Sequence, residues 1–264
     1  MQLCNGNELG MSQQTAGGVI NQTLDALATR EFIGRYINFP RVQAEIRQKQ
    51  ADFRDIANFP GVVGVIDGTH VRIVAPREQE EAYVNQNNYH SLNIQLVFDA
   101  QHRILDVVAQ WPGSVQDSRI WNDCGLKGKF ERSVIPEGCH LLGDNDYPCE
   151  PWLLTPYIQP NNVAQEAYNS AHKRTRCVVE SGIAQLKRRF NVLDGEIRVD
   201  PIKTSKIVMV CASLNNLCKE RNVELPDEHD VDEDEPEEVN PIQPLQHGYL
   251  LRDNFVNLHF RHEQ

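Results

Sequence analysis

Between Val62 and Gln110 the chain places four short runs of β-branched and apolar residues, and beyond Ala164 it carries only long stretches with helical spacing. This order constrains the fold more than any other feature. The runs Val62–Ile66, Val71–Ala75, Ile94–Ala100 and Ile104–Gln110 alternate in period two or are continuously apolar, and turn residues separate them, so they read as adjacent strands, the later ones hairpin-linked. A short fifth run, His140 to Gly143, precedes Asp144. Then come helices over Ala164–Phe190, with Val179, Ile183, Leu186 and Phe190 on one face, and over Ile202–Arg221. Strands followed by long helices predict a layered α/β or α+β domain. Upstream, Gly10–Leu27 has Ser12 placed to cap a helix carrying Val19, Ile20, Leu24 and Leu27, and a second helical stretch, Val42–Ala57, stops at Phe59-Pro60-Gly61. The expected divisions are an N-terminal helical segment over 1–58, a catalytic-type α/β domain over 59–222 and an acidic linker and tail over 223–264.

Charge matters here because it bears on partners. Lys and Arg number 26 against 37 Asp and Glu, a net charge of −11. Ten of those acids lie between Glu224 and Glu238, where there is no Lys or Arg, which leaves 26 cations against 27 acids elsewhere. The body of the chain is therefore close to neutral, and a nucleic-acid partner is not excluded. The acidic block, interrupted by Pro226 and Pro236, repels itself and has little apolar surface to bury, so it reads as a disordered stretch. Solubility is its simplest role; mimicry of DNA is the alternative. The longest apolar run, Ile207 to Leu214, is eight residues and includes a serine, far short of the roughly 20 that span a bilayer. Seven cysteines without a CxxC pair, and no secretory signal, make a reduced intracellular compartment the expectation.

The candidate chemistry lies in carboxylates at strand ends. Asp67 closes Val62-Val63-Gly64-Val65-Ile66 and precedes Gly68-Thr69-His70, which reads as a sheet edge with a turn beyond it. Asp144 follows Leu141-Leu142-Gly143, where Asn145 and Asp146 could also close an Asx turn, and Asp117 precedes Arg119-Ile120-Trp121, where it could cap a helix. Taken singly, each of the three reads first as structural. Glu180 lies inside a helix with Arg176 four residues before it and Lys187 seven after, one stripe that suits either an ion pair or a metal ligand working beside phosphate. Dense basic residues occur at His172-Lys173-Arg174 and Lys187-Arg188-Arg189, with a solvated helix face as the alternative to a binding role. Zinc held by Cys124, Cys139, His140 and Cys149 is disfavoured, because no close ligand pair anchors it. His70, His90 and Trp111 are expected to be structural first.

Five blocks in order carry a resemblance: Val65-Ile66-Asp67-Gly68-Thr69-His70-Val71, Tyr89-His90-Ser91-Leu92-Asn93-Ile94-Gln95, Trp111 through Arg119, Leu142-Gly143-Asp144 with Tyr147-Pro148, and Val179-Glu180 with Leu186 through Phe190. Over roughly residues 60 to 220 the chain resembles the PIF/Harbinger DDE transposases and the nucleases derived from them. The resemblance implies an RNase H-like fold, a mixed sheet flanked by helices, whose carboxylates hold two divalent cations, Mg²⁺ or Mn²⁺, for phosphodiester cleavage. It makes Asp67 the ligand on the first strand and Glu180 the ligand on the helix. Between Asp144 and Glu180 lie 35 residues, the D,D-35-E spacing, and between Asp117 and Glu180 lie 62. Both Asp144 and Asp117 stand as candidates for the middle ligand, Asp144 ahead. DNA contacts are expected from His90, Lys173, Arg174, Arg176, Lys187, Arg188 and Arg189, with a separate Myb/SANT-like partner supplying recognition, and with the nucleus, or alternatively the cytoplasm, as location.

The chain also departs from the family pattern. Gln86, Asn87 and Asn88 stand where relatives carry Lys or Arg, and Ser181 follows the helix glutamate where Arg is common. Phosphate contacts are weakened accordingly. Gly10–Leu27 resembles only the turn and second helix of the family's helix-turn-helix region, so independent sequence reading of DNA is not expected. An inactive fold serving as a DNA- or protein-binding adaptor is the competing expectation.

Overall fold

The computed structural model describes residues 10, 12–226 and 246–260. Its sheet has five strands: β1 (Val62–Arg72), β2 (Ser91–Phe98), β3 (Ile104–Pro112), β4 (His140–Leu142) and β5 (Leu153–Leu154). Their spatial order is β3-β2-β1-β4-β5, antiparallel from β3 through β1 and parallel from β1 through β5. The α/β class expected from the strand-then-helix order is the class observed.

The centre of the sheet differs from the sequence reading. The runs expected as separate strands on either side of Asp67 form one strand, and Gly68, Thr69 and His70 face Gln95, Ile94 and Asn93 across an unbroken ladder. No turn follows Asp67. A glycine in a strand reads as a break by propensity, but pairing with β2 supplies the backbone hydrogen bonds that a turn would otherwise satisfy.

Side chains of β1 serve two cores, one on each face of the sheet, with a register shift between Val62 and Gly64. Val62 and Val65 join Phe53, Phe59 and Phe98, while Val63 and Ile66 join Val97, Trp121 and Phe130. Every residue of β2 is buried, which accounts for its nearly continuous apolar run. The first core is closed by α6 (Val163–Arg189) and α7 (Pro201–Glu220), through residues such as Val178, Val179, Leu186 and Val208. Gly182 lets α6 lie close on the sheet, since a Cβ there would stand 2.8 Å from the Phe98 ring. The second core is closed by α4 (Asp117–Asp123) and α5 (Gly125–Glu131).

The upstream helices are α1 (Gln13–Leu27), α2 (Arg30–Tyr36) and α3 (Gln43–Ala57), of which α2 was not legible in the sequence. Ser12 caps α1 by accepting from the Thr15 amide at 3.1 Å, as its position suggested. Thr29 does the same for α2, accepting from Phe32 N at 3.3 Å.

Of the acidic block Glu224–Glu238, expected to be disordered, residues 227–238 lie outside the described residues. Within the stretch expected as linker and tail, α8 (Gln246–His259) packs on the first core. Phe255 stacks on Phe59 with centroids 5.7 Å apart, and the 6 % exposed Arg252 donates to the carbonyls of Thr155 and Pro156 at 3.0 and 2.9 Å. Its aromatic residues explain why this part of the stretch docks while its composition as a whole reads as a tail. Among the described residues no helix is long and apolar enough to cross a membrane.

Candidate active site

Strand register brings the first two carboxylates together. The parallel pairing of β1 with β4 ends at Val65 opposite Leu142, and Asp67 and Asp144 each stand two residues beyond that pair. Both therefore emerge at the same end of adjacent parallel strands, where ligands of open α/β sheets bind. Asp144 Oδ1 also accepts from the Asp146 amide at 3.0 Å, so the expected Asx turn forms and holds the carboxylate in place.

Arg176 crosses this gap from α6. Its Nη2 lies 2.6 Å from Asp67 Oδ2 and 3.8 Å from Asp144 Oδ2, with the arginine and Asp67 side chains only 15 % and 16 % exposed. Burial, with Asp144 and Asp117 nearby, pushes the Asp67 carboxyl up to about 8 even though Arg176 pulls it down. Burial disfavours the guanidinium charge too, but Asp67, Asp144 and Glu180 more than offset that and hold its pKa above the usual value.

Asp117 approaches from the opposite face. It opens α4, and its Oδ1 accepts from Asn93 Nδ2 at 2.7 Å, while the same amide nitrogen donates to the Val115 carbonyl at 2.9 Å. Asn93 is 4 % exposed. Gly68 makes the approach possible: a Cβ there would stand 2.7 Å from Asp117 Cγ. By strand alternation Gly68 shares its face with Ile66, whereas Asp67 shares its face with Val65 and α6. Asp67 and Asp117 thus flank β1 from its two sides. Into the same cluster projects Tyr147, 2 % exposed, whose Oη has no hydrogen-bond partner among the described residues. Burial, reinforced by Asp117, Asp67 and Asp144, holds this phenol well above its usual range.

Glu180 stands one turn of α6 beyond Arg176, exposed, and is among the charges acting on that guanidinium. The site therefore gathers Asp67 and Asp144 around one cation, with Asp117 across β1 from Asp67 and Glu180 at the rim. Among the described residues no three histidine, cysteine, aspartate or glutamate side chains stand arranged to hold a metal ion. A guanidinium lies where two of the carboxylates face each other, so the cluster already contains a positive charge. Its donors are carboxylate oxygens, the hard ligands that Mg²⁺ and Mn²⁺ take, and the chemistry of the set fits those ions.

The expected nucleic-acid contacts do not form one patch. Arg176 is in the carboxylate cluster, His172 is buried against the Leu154 carbonyl at 3.1 Å, and Arg174 donates to the Ile56 carbonyl at 2.8 Å, leaving Lys173 exposed. About 20 Å further along α6, at ~1.5 Å per residue, lies the second basic run. There Arg188 Nε donates to the Pro226 carbonyl at 2.7 Å and Arg189 to the Glu224 and Val223 carbonyls at 3.1 Å each, while Lys187 is partly buried. His90 Nε2 pairs with Glu80 Oε1 at 3.1 Å, and His70 Nδ1 with Ser91 Oγ at 3.0 Å. Cys124, Cys139 and Cys149 are buried free thiols, and His140 bonds the Pro151 carbonyl at 2.9 Å. Three positions that shape the cluster were not singled out as site residues from the sequence: Gly68, Asn93 and Tyr147. Asn93 carried a signal, as a polar residue inside an otherwise apolar strand, and Gly68 was mistaken for a turn.

The DDE superfamily endonuclease family matches residues 66–216. A protein of Xenopus laevis named "Putative nuclease HARBI1" is 33 % identical over 97 % of this chain and 74 % of its own length. The Homo sapiens protein of the same name is 34 % identical over 83 % of this chain and 63 % of its own length. "Protein ALP1-like" of Arabidopsis thaliana is 28 % identical over 80 % of this chain and 55 % of its own length. The chain thus spans less than two thirds of the human and plant relatives. No solved structure matches it.

Proposed function

The chain belongs to the DDE superfamily endonucleases, and from that premise we propose that it is a divalent-metal-dependent DNA endonuclease of the Harbinger type, cutting phosphodiester bonds at the cluster around Asp67. We read its sheet order as that of an RNase H-like fold. The observation that carries the proposal is the convergence of Asp67 and Asp144 on one guanidinium nitrogen, with Asp117 pressed against β1 from the other face.

Asp67, Asp144 and Glu180 would hold the metal. Asp144 is favoured over Asp117 as the middle ligand because it shares the Arg176 side of the sheet with Asp67, whereas the Asp117 carboxylate is engaged by Asn93. Bound Mg²⁺ or Mn²⁺ supplies Lewis acidity and a water or hydroxyl nucleophile at neutral pH. The protein's part is to place its carboxylates on a rigid strand pair and to keep them largely desolvated. Arg176 neutralises the cluster from α6, and its guanidinium is the group that would meet substrate phosphate there. The same resemblance extends the reading to a separate Myb/SANT-like DNA-binding partner and to a nuclear location.

A second reading, the inactive adaptor, is favoured by the ion pair that already satisfies Asp67. Nicking of supercoiled DNA in Mg²⁺ or Mn²⁺, beside Asp67→Ala and Glu180→Ala and with calorimetric metal titration of all three proteins, separates the two. Cleavage lost in both variants supports the nuclease; a wild-type protein that neither cuts nor binds metal better than its variants supports the adaptor.

A further inference from the structure

At the far end of α6 from the carboxylates, the β2–β3 hairpin, α3 and the ends of α6 and α7 enclose a cleft of about 630 Å³. Four cations line it: Lys49, Arg103, Arg189 and Lys219. Of the four, only Lys49 is ion-paired among the described residues, its Nζ lying 2.6 Å from the fully buried Asp99 Oδ2. Lys219 Nζ donates to a neutral acceptor, Gln185 Oε1, at 2.9 Å. Arg189 spends both terminal nitrogens on backbone carbonyls and leaves a buried Nε without a partner among the described residues. Arg103 is partly buried and its main-chain N donates to Asp99 Oδ1 at 2.8 Å, but its side chain makes no hydrogen bond or ion pair with the described residues. The other carboxylate lining the cleft, Asp52, accepts from the Gln48 amide at 2.8 Å.

Lys219, Arg103 and Arg189, none of them ion-paired among the described residues, repel one another, and burial together with Arg189 and Arg103 lowers the Lys219 pKa although Asp99 acts to raise it. Such an arrangement in a concave site is relieved by a polyvalent oxyanion: the guanidinium fork of Arg103 and the Lys219 ammonium can hold the oxygens of a phosphate, with the charge of Arg189 beside them. The cleft also lies in line with the carboxylates, about 20 Å along α6, the length of about six base pairs at ~3.4 Å each.

We propose that this cleft is a phosphate-binding site that holds a backbone phosphate of duplex DNA about six base pairs from the bond being cut. The proposal rests on the DNA-cutting reading for its choice of ligand. It adds Arg103, Lys219 and Lys49 to the surface that meets the duplex, and places that contact away from the chemistry.

The test measures fluorescence anisotropy of a labelled duplex of roughly 20 base pairs, about two helical turns, against salt and without divalent metal. Arg103→Gln/Lys219→Gln should weaken binding about tenfold and flatten the plot of log affinity against log salt by about one unit per lost phosphate contact. Arg103→Gln alone, which breaks no bond with the described residues, should reproduce part of the loss and guards against misfolding of the double variant. Unchanged affinity and slope in both variants overturn the proposal. So does a titration in which inorganic phosphate binds the wild type and not the variants while duplex affinity stays equal, since the site would then take a free anion. Asp67→Ala should lose nicking and keep duplex affinity. If no protein nicks DNA yet duplex affinity still falls in the cleft variants, the nuclease reading fails and the cleft stands.

Discussion

Arg176→Gln isolates the electrostatics of the site. The substitution keeps a polar side chain on α6 and removes the cation bonded to Asp67 at 2.6 Å, beside Asp144 at 3.8 Å. Without its donor Asp67 Oδ2 becomes an unsatisfied buried polar group, which costs about 1–3 kcal/mol, and because the lost donor is charged the upper end applies, about 3 kcal/mol at pH 8 in the absence of metal. For a chain of this size that is a fall of roughly 6–12 °C in the thermal midpoint. The pH dependence has a definite sign. The Asp67 carboxyl, raised from 3.8 to about 8 by burial and by Asp144 and Asp117, keeps its proton in the folded chain over a range where the unfolded chain has released it. Its contribution to stability is therefore greatest at acid pH and is lost as pH rises through about 8. Without Arg176 the folded carboxyl climbs further, so the variant's deficit should widen above pH 8, by at most about 1.4 kcal/mol per pH unit. Mg²⁺ replaces the missing charge, and should raise the midpoint of Arg176→Gln more than that of the wild type. Differential scanning calorimetry at several pH values, with and without Mg²⁺, measures all of this. A midpoint change below about 2 °C, or equal stabilisation of both proteins by Mg²⁺, would refute the reasoning.

Two further predictions concern the same cluster. Because Asp67 must lose its proton to bind metal, Mg²⁺ affinity measured by calorimetry should rise with pH, at most about tenfold per unit, and level off near the raised carboxyl value of about 8; a flat profile between pH 6 and 9 would contradict that assignment. Gly68→Ala should destabilise the protein by about 1–3 kcal/mol and displace Asp117, since the new methyl would stand 2.7 Å from its Cγ; a change under about 0.5 kcal/mol in chemical denaturation would show that the two do not crowd one another.

Much of the fold was legible because its signals are local. Period-two runs marked β2 and β3, helical spacing marked α6 and α7, and Ser12 marked the start of α1, each through contacts within a few residues. Residue type and order likewise singled out Asp67, Asp117, Asp144 and Glu180, since carboxylates that interrupt apolar runs stand out whatever the tertiary fold. Local signals failed where a long-range partner overrode them. Gly68-Thr69-His70 looks like a turn until β2 supplies its ladder, and the end of the chain looks like a tail until Phe255 meets Phe59.

The arrangement of charge belongs to the assembled molecule. The linear chain places Arg176 and Glu180 on one helical stripe, yet nothing in it says that the guanidinium reaches a strand 109 positions earlier rather than solvent. The two basic runs of α6 look alike as sequence, and packing sends His172 into the core, Arg174 to the end of α3 and Arg189 to the carbonyls after α7. Residue chemistry and periodicity are properties of neighbours along the chain, so they could be read directly. Ionisation, desolvation and the meeting of Arg103 with Lys219 and Arg189 depend on distances through space, and those exist only once the sheet and its helices have closed on each other.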